Sequence, residues 1–135
     1  MDVSSSLQGI GGFLVYFAAA VAALAVFIVL YLLVTPHREA ALIRAGNTAA
    51  AVTLSGAMLG FALPLASAIA HSVSLLDMAV WSTVALLVQI ALFLLVSAVL
   101  RGLSRDIENG NLAAGITLAT ASIVVGLLNA ASMTY

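Results

Sequence analysis

Few side chains in this 135-residue sequence could do chemistry, and their surroundings decide what kind. Gln89 is an amide in the middle of the uncharged run 78–100. At the centre of a bilayer an amide must find a partner. One amide suffices for a hydrogen bond between helices and is too little for a transport path, so interhelical glue is the favoured reading. Asn47 and Asn111 each follow a glycine, Gly46 and Gly110, and each precedes an apolar run. That pattern suits a helix N-cap, in which the side chain accepts from orphan backbone N–H groups. The preceding glycine permits the unusual backbone of the turn. The alternative is a pair of positive helix ends gathering an anion such as a lipid phosphate, with Arg44 and Arg105 nearby.

His71 and Asp77 flank a short loop. Two ligands do not make a convincing metal site, and solvated loop residues are the favoured reading. The sequence displays no carboxylate inside an apolar run, no paired acids and no His-Glu zinc spacing. It also lacks a phosphate-cradling Gly-Lys loop and a plausible Ser-His pair. Ionisable residues inside a membrane mark ion and proton pathways, and their absence argues against a proton-coupled carrier and an enzyme alike. The expectation is therefore no catalytic residue, no cofactor and no metal.

These residues must be held by elements that live in lipid. Hydrophobic residues make up 64% of the chain, charged residues 7%, and the mean hydropathy is +1.27. A soluble domain carries about 25% charged residues. Four Arg, no Lys and five acids leave no basic patch for nucleic acid. Cysteine is absent, which removes disulfides and thiolate sites. The N-terminus has no positive residue, and the apolar stretch behind it is too long for a signal peptide.

Four uncharged runs follow one another, at about 10–34, 47–70, 78–100 and 111–135. Each exceeds the ~20 residues a helix needs to cross the hydrocarbon. None alternates as a strand would, and lipid admits only helices or closed barrels. The predicted fold is an all-α membrane protein with four transmembrane helices. Phe13, Tyr16, Phe17, Tyr31, Trp81 and Tyr135 stand near the ends of runs, where interfacial aromatics belong. Thr35 and Pro36 open a short amphipathic link that places Leu42 and Ile43 toward the membrane. Pro64 frees a carbonyl in the second run, with Ser67 or Asn129 as candidate partners and a kink as the default reading.

The chain repeats itself. Shifted by 64 positions, Gly46, Asn47, Ala49, Ala50, Thr53, Leu54 and Ala57 fall on Gly110, Asn111, Ala113, Ala114, Thr117, Leu118 and Ala121. A repeat on this scale sets the architecture: two two-helix units, 1–72 and 73–135. All four Arg lie in the loops after runs one and three. The positive-inside rule puts those loops in the cytoplasm and both termini in the periplasm. Each unit crosses twice, so the repeats are parallel.

Gly56 and Gly60 are spaced as Gly-xxx-Gly, and run four offers Gly115, Ser122 and Gly126. Small residues let helix backbones approach in lipid. Runs two and four are expected to form the centre, with runs one and three toward lipid. An intersubunit face is the alternative use of the same motif.

Several stretches together resemble a known family. They are Thr35-Pro36-His37, Leu42-Ile43, Gly46-Asn47-Thr48-Ala49-Ala50, Ser55-Gly56-Ala57-Met58-Leu59-Gly60 and Pro64-Leu65. The second half adds Asn111-Leu112-Ala113-Ala114-Gly115 and Asn129-Ala130-Ala131-Ser132-Met133-Thr134. This ordered set resembles the YjfL-type bacterial inner-membrane proteins, a domain of unknown function with duplicated two-helix units. The resemblance implies a bacterial inner membrane and carries over no catalytic residue. The expected role is non-enzymatic: a structural or interaction component of the envelope, in contact with the lipid bilayer and with a membrane-protein partner or copies of itself. The alternative is a small channel or transporter subunit, which would need a continuous polar path.

Overall fold

The computed structural model describes residues 2–133. Six helices follow in order: α1 Val3–Val34, α2 Glu39–Arg44, α3 Thr48–His71, α4 Leu75–Val99, α5 Leu103–Glu108 and α6 Leu112–Ser132. There is no strand among the described residues. Four of the helices, α1, α3, α4 and α6, are long and apolar enough to cross a membrane. The protein is an all-α membrane protein.

α1 begins seven residues before the uncharged run that announces it. Asp2 supplies the reason: its Oδ1 accepts from the Ser5 N–H at 2.9 Å and from the Ser4 hydroxyl at 2.6 Å. The cap draws Ser4, Ser5 and Ser6 into the helix. Apolarity marks where a helix meets lipid, and the cap marks where it starts. At ~1.5 Å per residue these 32 residues span about 48 Å. That is more than the ~30 Å hydrocarbon layer. α4 likewise starts earlier than its uncharged run. Ser74 Oγ accepts from the Asp77 N–H at 3.1 Å, and Asp77 Oδ2 accepts from the Val73 N–H at 3.2 Å. α6 ends at Ser132, and the interfacial position expected for Tyr135 lies outside the described residues.

The links are helical as well. α2 and α5 each close on a left-handed glycine, Gly46 at φ 86 and Gly110 at φ 78. Gly46 N–H donates to Ile43 O and Asn47 N–H to Leu42 O; Gly110 and Asn111 make the same pair of bonds to Ile107 and Asp106. This is the Schellman turn, which satisfies the last carbonyls of a helix and needs a residue without a Cβ penalty. Thr35 ends α1 instead of opening a helix, and Pro36 is exposed in the link before α2.

α3 and α6 share the most extensive contact in the molecule. Their glycines explain it. A methyl group on Gly56 would stand 2.9 Å from the Ala119 carbonyl oxygen, and one on Gly115 2.7 Å from the Ala49 carbonyl oxygen. Gly60 faces the Ser122 backbone, and Gly126 faces Gly60 itself. With no hydrophobic effect between helices in lipid, close van der Waals contact of this kind holds the pair together. Pro64 has no N–H to offer the Gly60 carbonyl, four residues earlier. That freed carbonyl oxygen lies against Gly126, not against Ser67 or Asn129.

α1 and α4 flank this centre, with a groove of about 410 Å³ between them lined by Ala19, Ala23, Met78, Ser82 and Leu86. The N-terminal half of α1 is exposed, including Leu7, Phe13 and Phe17. Its other end is fastened by rings. Phe27 stacks on Phe61 at 4.5 Å, and Tyr31 meets Phe93 edge-on at 5.6 Å. Tyr31 is only 2% exposed, so it is a core residue and not a lipid-facing anchor.

Candidate functional site

The polar side chains gather at two levels. The first is inside the α3–α6 seam. Gln89, brought in by α4, is 2% exposed and donates from Nε2 to the Ser122 carbonyl oxygen at 3.0 Å. Only a residue as small as Gly60 leaves room for the amide, since a methyl there would approach Nε2 to 2.8 Å. Gln89, Gly60, Ser122 and Gly126 thus meet at one point. Thr53 returns its hydroxyl to the Ala49 carbonyl of its own helix at 2.8 Å. Thr117 does the same to Ala113. Neither hydroxyl extends a polar line from Gln89. Gly56 and Gly115 belong to the same seam at other levels, against Ala119 and Ala49.

The second level is the end of the bundle that carries α2 and α5. Asn47 Oδ1 accepts from the Ala50 N–H at 3.0 Å, and Asn111 Oδ1 from the Ala114 N–H at 3.3 Å. Both are N-caps. Asn47 does more: its Nδ2 donates to the Ile107 and Glu108 carbonyl oxygens at 2.8 and 3.2 Å. The amide that would greet an anion is turned to the C-terminal end of α5 instead, where cations and N–H donors are favoured.

Beside these caps lies a cluster that the residue spacing does not announce. His37 and Glu39 are both buried, with side chains at 0% exposure, and His37 Nε2 lies 2.8 Å from Glu39 Oε1. His37 Nδ1 lies 3.1 Å from Ser104 Oγ, which arrives from α5, 67 residues away in sequence. Phe93 packs on this ring at 6.4 Å between centroids and on Tyr31. The link looks like a solvated loop because it carries Arg38 between the two. Pro36 and Arg38 are exposed, while Thr35, His37 and Glu39 turn inward. That alternation along the link is the one signal that could have pointed to the burial. The order Ser104–His37–Glu39 invites comparison with a nucleophile triad. Its polarity is reversed: a triad acid holds Nδ1 and leaves Nε2 to the nucleophile, whereas here Glu39 holds Nε2.

At the opposite end His71 Nδ1 lies 3.0 Å from the Ser67 carbonyl oxygen of its own helix, and Asp77 closes the turn into α4.

Residues 5–133 match the family described as Domain of Unknown Function (DUF350). The chain belongs to the DUF350 family. It is 40% identical over 129 residues to UPF0719 inner membrane protein YjfL of Escherichia coli strain K12, which covers 96% of this chain and 98% of that protein. The protein of the same name from Escherichia coli O157:H7 matches to the same extent. No solved structure matches the chain. This DUF350 chain thus shares nearly its full length with proteins named for the inner membrane, and its four apolar helices agree with that setting.

Proposed function

We propose that this DUF350 chain is a non-enzymatic component of the bacterial inner membrane that acts by packing against another membrane protein or against copies of itself. The observation that carries this reading is the closed α3–α6 seam. Backbone meets backbone at Gly56, Gly60, Gly115 and Gly126, and the one deep amide, Gln89, is taken up by Ser122. A centre filled in this way has no room for a solute, while the flanking helices α1 and α4 keep large apolar faces outward.

The proposal includes two further statements. The chain is a duplication of a two-helix unit, 1–72 and 73–135, which the twin Schellman turns and twin asparagine caps support. Both termini are periplasmic, which the gathering of all four Arg around α2 and α5 supports.

Purified protein in liposomes should pass ions and small solutes no faster than empty liposomes. A pull-down in mild detergent with mass spectrometry should recover a membrane protein or the chain itself in stoichiometric amount. A flux that Gln89→Leu abolishes in a fully stable protein would replace this reading with a channel.

A further inference from the structure

α1 and α4 meet at one end of the bundle and leave a groove toward the other. Near the arginine-rich end Tyr31 and Phe93 touch edge-on at 5.6 Å. Toward the α3–α4 turn lies the groove of about 410 Å³, with Phe61 of α3 also in its wall. Small residues make the room: Ala19, Ala22 and Ala23 on α1, Ala79 and Ser82 on α4. Small residues alone would be a packing surface. One atom argues for an occupant. Ser82 is 7% exposed, it lines the groove, and its Oγ is buried with no hydrogen-bond partner. The other hydroxyl in the wall, on Thr83, donates to the Ala79 carbonyl oxygen of its own helix at 2.8 Å. A hydroxyl left without a partner in an apolar setting costs folding free energy, which an acceptor in the groove would offset.

Depth and width restrict what supplies that acceptor. The groove follows α4 from Leu75 to Leu86, about 16 Å at the rise of a helix. That is the depth of one leaflet, half of the ~30 Å hydrocarbon layer. α4 is about 38 Å long, so ~4 Å stand outside the hydrocarbon at each end. Ser82, seven residues from its start, then lies about 6 Å below the hydrocarbon edge. The polar groups nearest that depth are the ester carbonyls of membrane lipids, which accept hydrogen bonds. A further transmembrane helix is too thick to enter: about 10 Å across, it fills more than roughly 1,000 Å³ over the same length.

We propose that this groove holds one acyl chain of a diacyl phospholipid from the leaflet at the α3–α4 turn, with an ester carbonyl accepting from the Ser82 hydroxyl and an ammonium-bearing head beside Asp77. Charge selects the head. All four Arg lie at the other end of the bundle. At this end stand the acids Asp77 and, farther out on α1, Asp2, together with His71. Asp77 adjoins Met78 and is two residues from Leu75, both in the groove wall. Its carboxylate favours an ammonium close by and repels a head whose only charge is the phosphate. The site leaves the rest of the outward faces of α1 and α4 to a protein partner and does not depend on one.

The test uses the full chain in vesicles of phosphatidylglycerol with a trace of phosphatidylethanolamine that carries a photoactivatable diazirine in one acyl chain. Light should attach this probe to residues 19–26 and 75–86, saturating at one lipid per chain, and unlabelled phosphatidylethanolamine should compete. The same acyl probe on phosphatidylglycerol should label the lipid-facing surface evenly. Ala22 and Ala79 are exposed, so phenylalanine is tolerated at either and fills the groove. Ala22→Phe and Ala79→Phe should each abolish the localised adduct, while Val124→Phe, exposed on α6 outside the groove, should keep it. Ser82→Ala should weaken the competition by about two- to tenfold, as loss of one hydrogen bond does. Adducts spread evenly and unchanged in Ala22→Phe would overturn the site and leave ordinary lipid contact. Residues 19–26 and 75–86 left unlabelled would mean that something else, such as a second copy of the chain, covers the groove, and would overturn the lipid. Equal labelling by the two heads, or a preference retained in Asp77→Asn, would overturn the selection by Asp77. Full competition in Ser82→Ala would overturn the carbonyl bond.

Discussion

Gln89 reaches the Ser122 carbonyl oxygen at 3.0 Å through the space left by a missing side chain at Gly60. Three helices meet there: α4 donates, α6 accepts, and α3 makes room. The Ser122 carbonyl already lies in the backbone ladder of α6, so the amide adds a second bond to it, as a carbonyl with two lone pairs allows. The bond ties a lipid-facing helix to the seam and consumes the polarity that a membrane interior would penalise.

Replacing Gln89 with leucine removes that bond and forces a branched side chain toward Gly60. The expected loss is about 0.5–2 kcal/mol, the range of interhelical hydrogen bonds in membranes. Thermal unfolding in detergent reads it. An unchanged melting temperature would mean that α4 is held by its apolar contacts alone.

The glycines separate into two groups that should respond in opposite directions. A methyl on Gly60 or Gly126 meets backbone of the facing helix, which cannot move aside. Gly60→Ala and Gly126→Ala should each lose about 1–3 kcal/mol, as overpacked cores do. Gly9 in α1 has nothing within 4 Å of an added methyl. Gly9→Ala should be neutral or gain up to about 1 kcal/mol from helix propensity. Equal melting shifts for all three would place the α3–α6 contact elsewhere.

The seam is legible in sequence because close approach requires small residues at helical spacing, and Gly56, Gly60, Gly115 and Gly126 show that spacing without any knowledge of the partner. The four spans are legible because lipid imposes a length and a composition. The His37–Glu39–Ser104 cluster is not, for two physical reasons. Its members come from links 67 residues apart, and nothing local in either link requires the other. A buried His–Glu contact beside exposed Arg38 also reads as a solvated charge run, since composition averages over residues that point in opposite directions. The start of α1 is hidden in the same way, because a cap is a single polar residue outside the apolar pattern.

Asn47 and Asn111 occupy equivalent turns and should differ in consequence. Each caps its own helix, a contribution of about 1 kcal/mol. Asn47 also holds the Ile107 and Glu108 carbonyls, which adds roughly 0.5–1.5 kcal/mol. Asn47→Ala should therefore lower stability clearly more than Asn111→Ala. Asn47→Asp keeps the capping oxygen, loses the amide donor and should fall between the parent and Asn47→Ala. If Asn47→Asp matches the parent, the cross-link to α5 contributes nothing.

Asp2 gives α1 a pH-dependent beginning. Hydrogen bonds from the Ser4 hydroxyl and the Ser5 N–H hold its carboxyl below its ordinary value of 3.8. A carboxyl lowered in the folded state contributes above the unfolded value and loses that contribution as the pH falls through the folded one. The first turn of α1 should therefore fray in acid below that range and be intact at neutral pH. Amide exchange at Ser5 and Ser6 reports it. Asp2→Asn, which keeps an accepting oxygen without the titration, should remove the pH dependence.

The proposed orientation rests on charge, and the structure supplies positions at which to test it. All four Arg lie around α2 and α5, and the turn between α3 and α4 has none. Basic residues near span ends stay on the cytoplasmic side. The chain has no cysteine, so single substitutions give unambiguous labels. Ala40, Asn109 and Val73 are exposed, the first two beside the arginines and the last in the opposite turn. Ser104 is unsuitable as a label site because its hydroxyl is engaged by His37. An impermeant thiol reagent on intact cells should label Val73→Cys and spare Ala40→Cys and Asn109→Cys until the membrane is opened. Labelling of Ala40→Cys or Asn109→Cys but not Val73→Cys would reverse the orientation. It would also put the end of the bundle that carries His37 and Glu39 on the periplasmic side, because Ser104, bonded to His37, shares a link with Asn109.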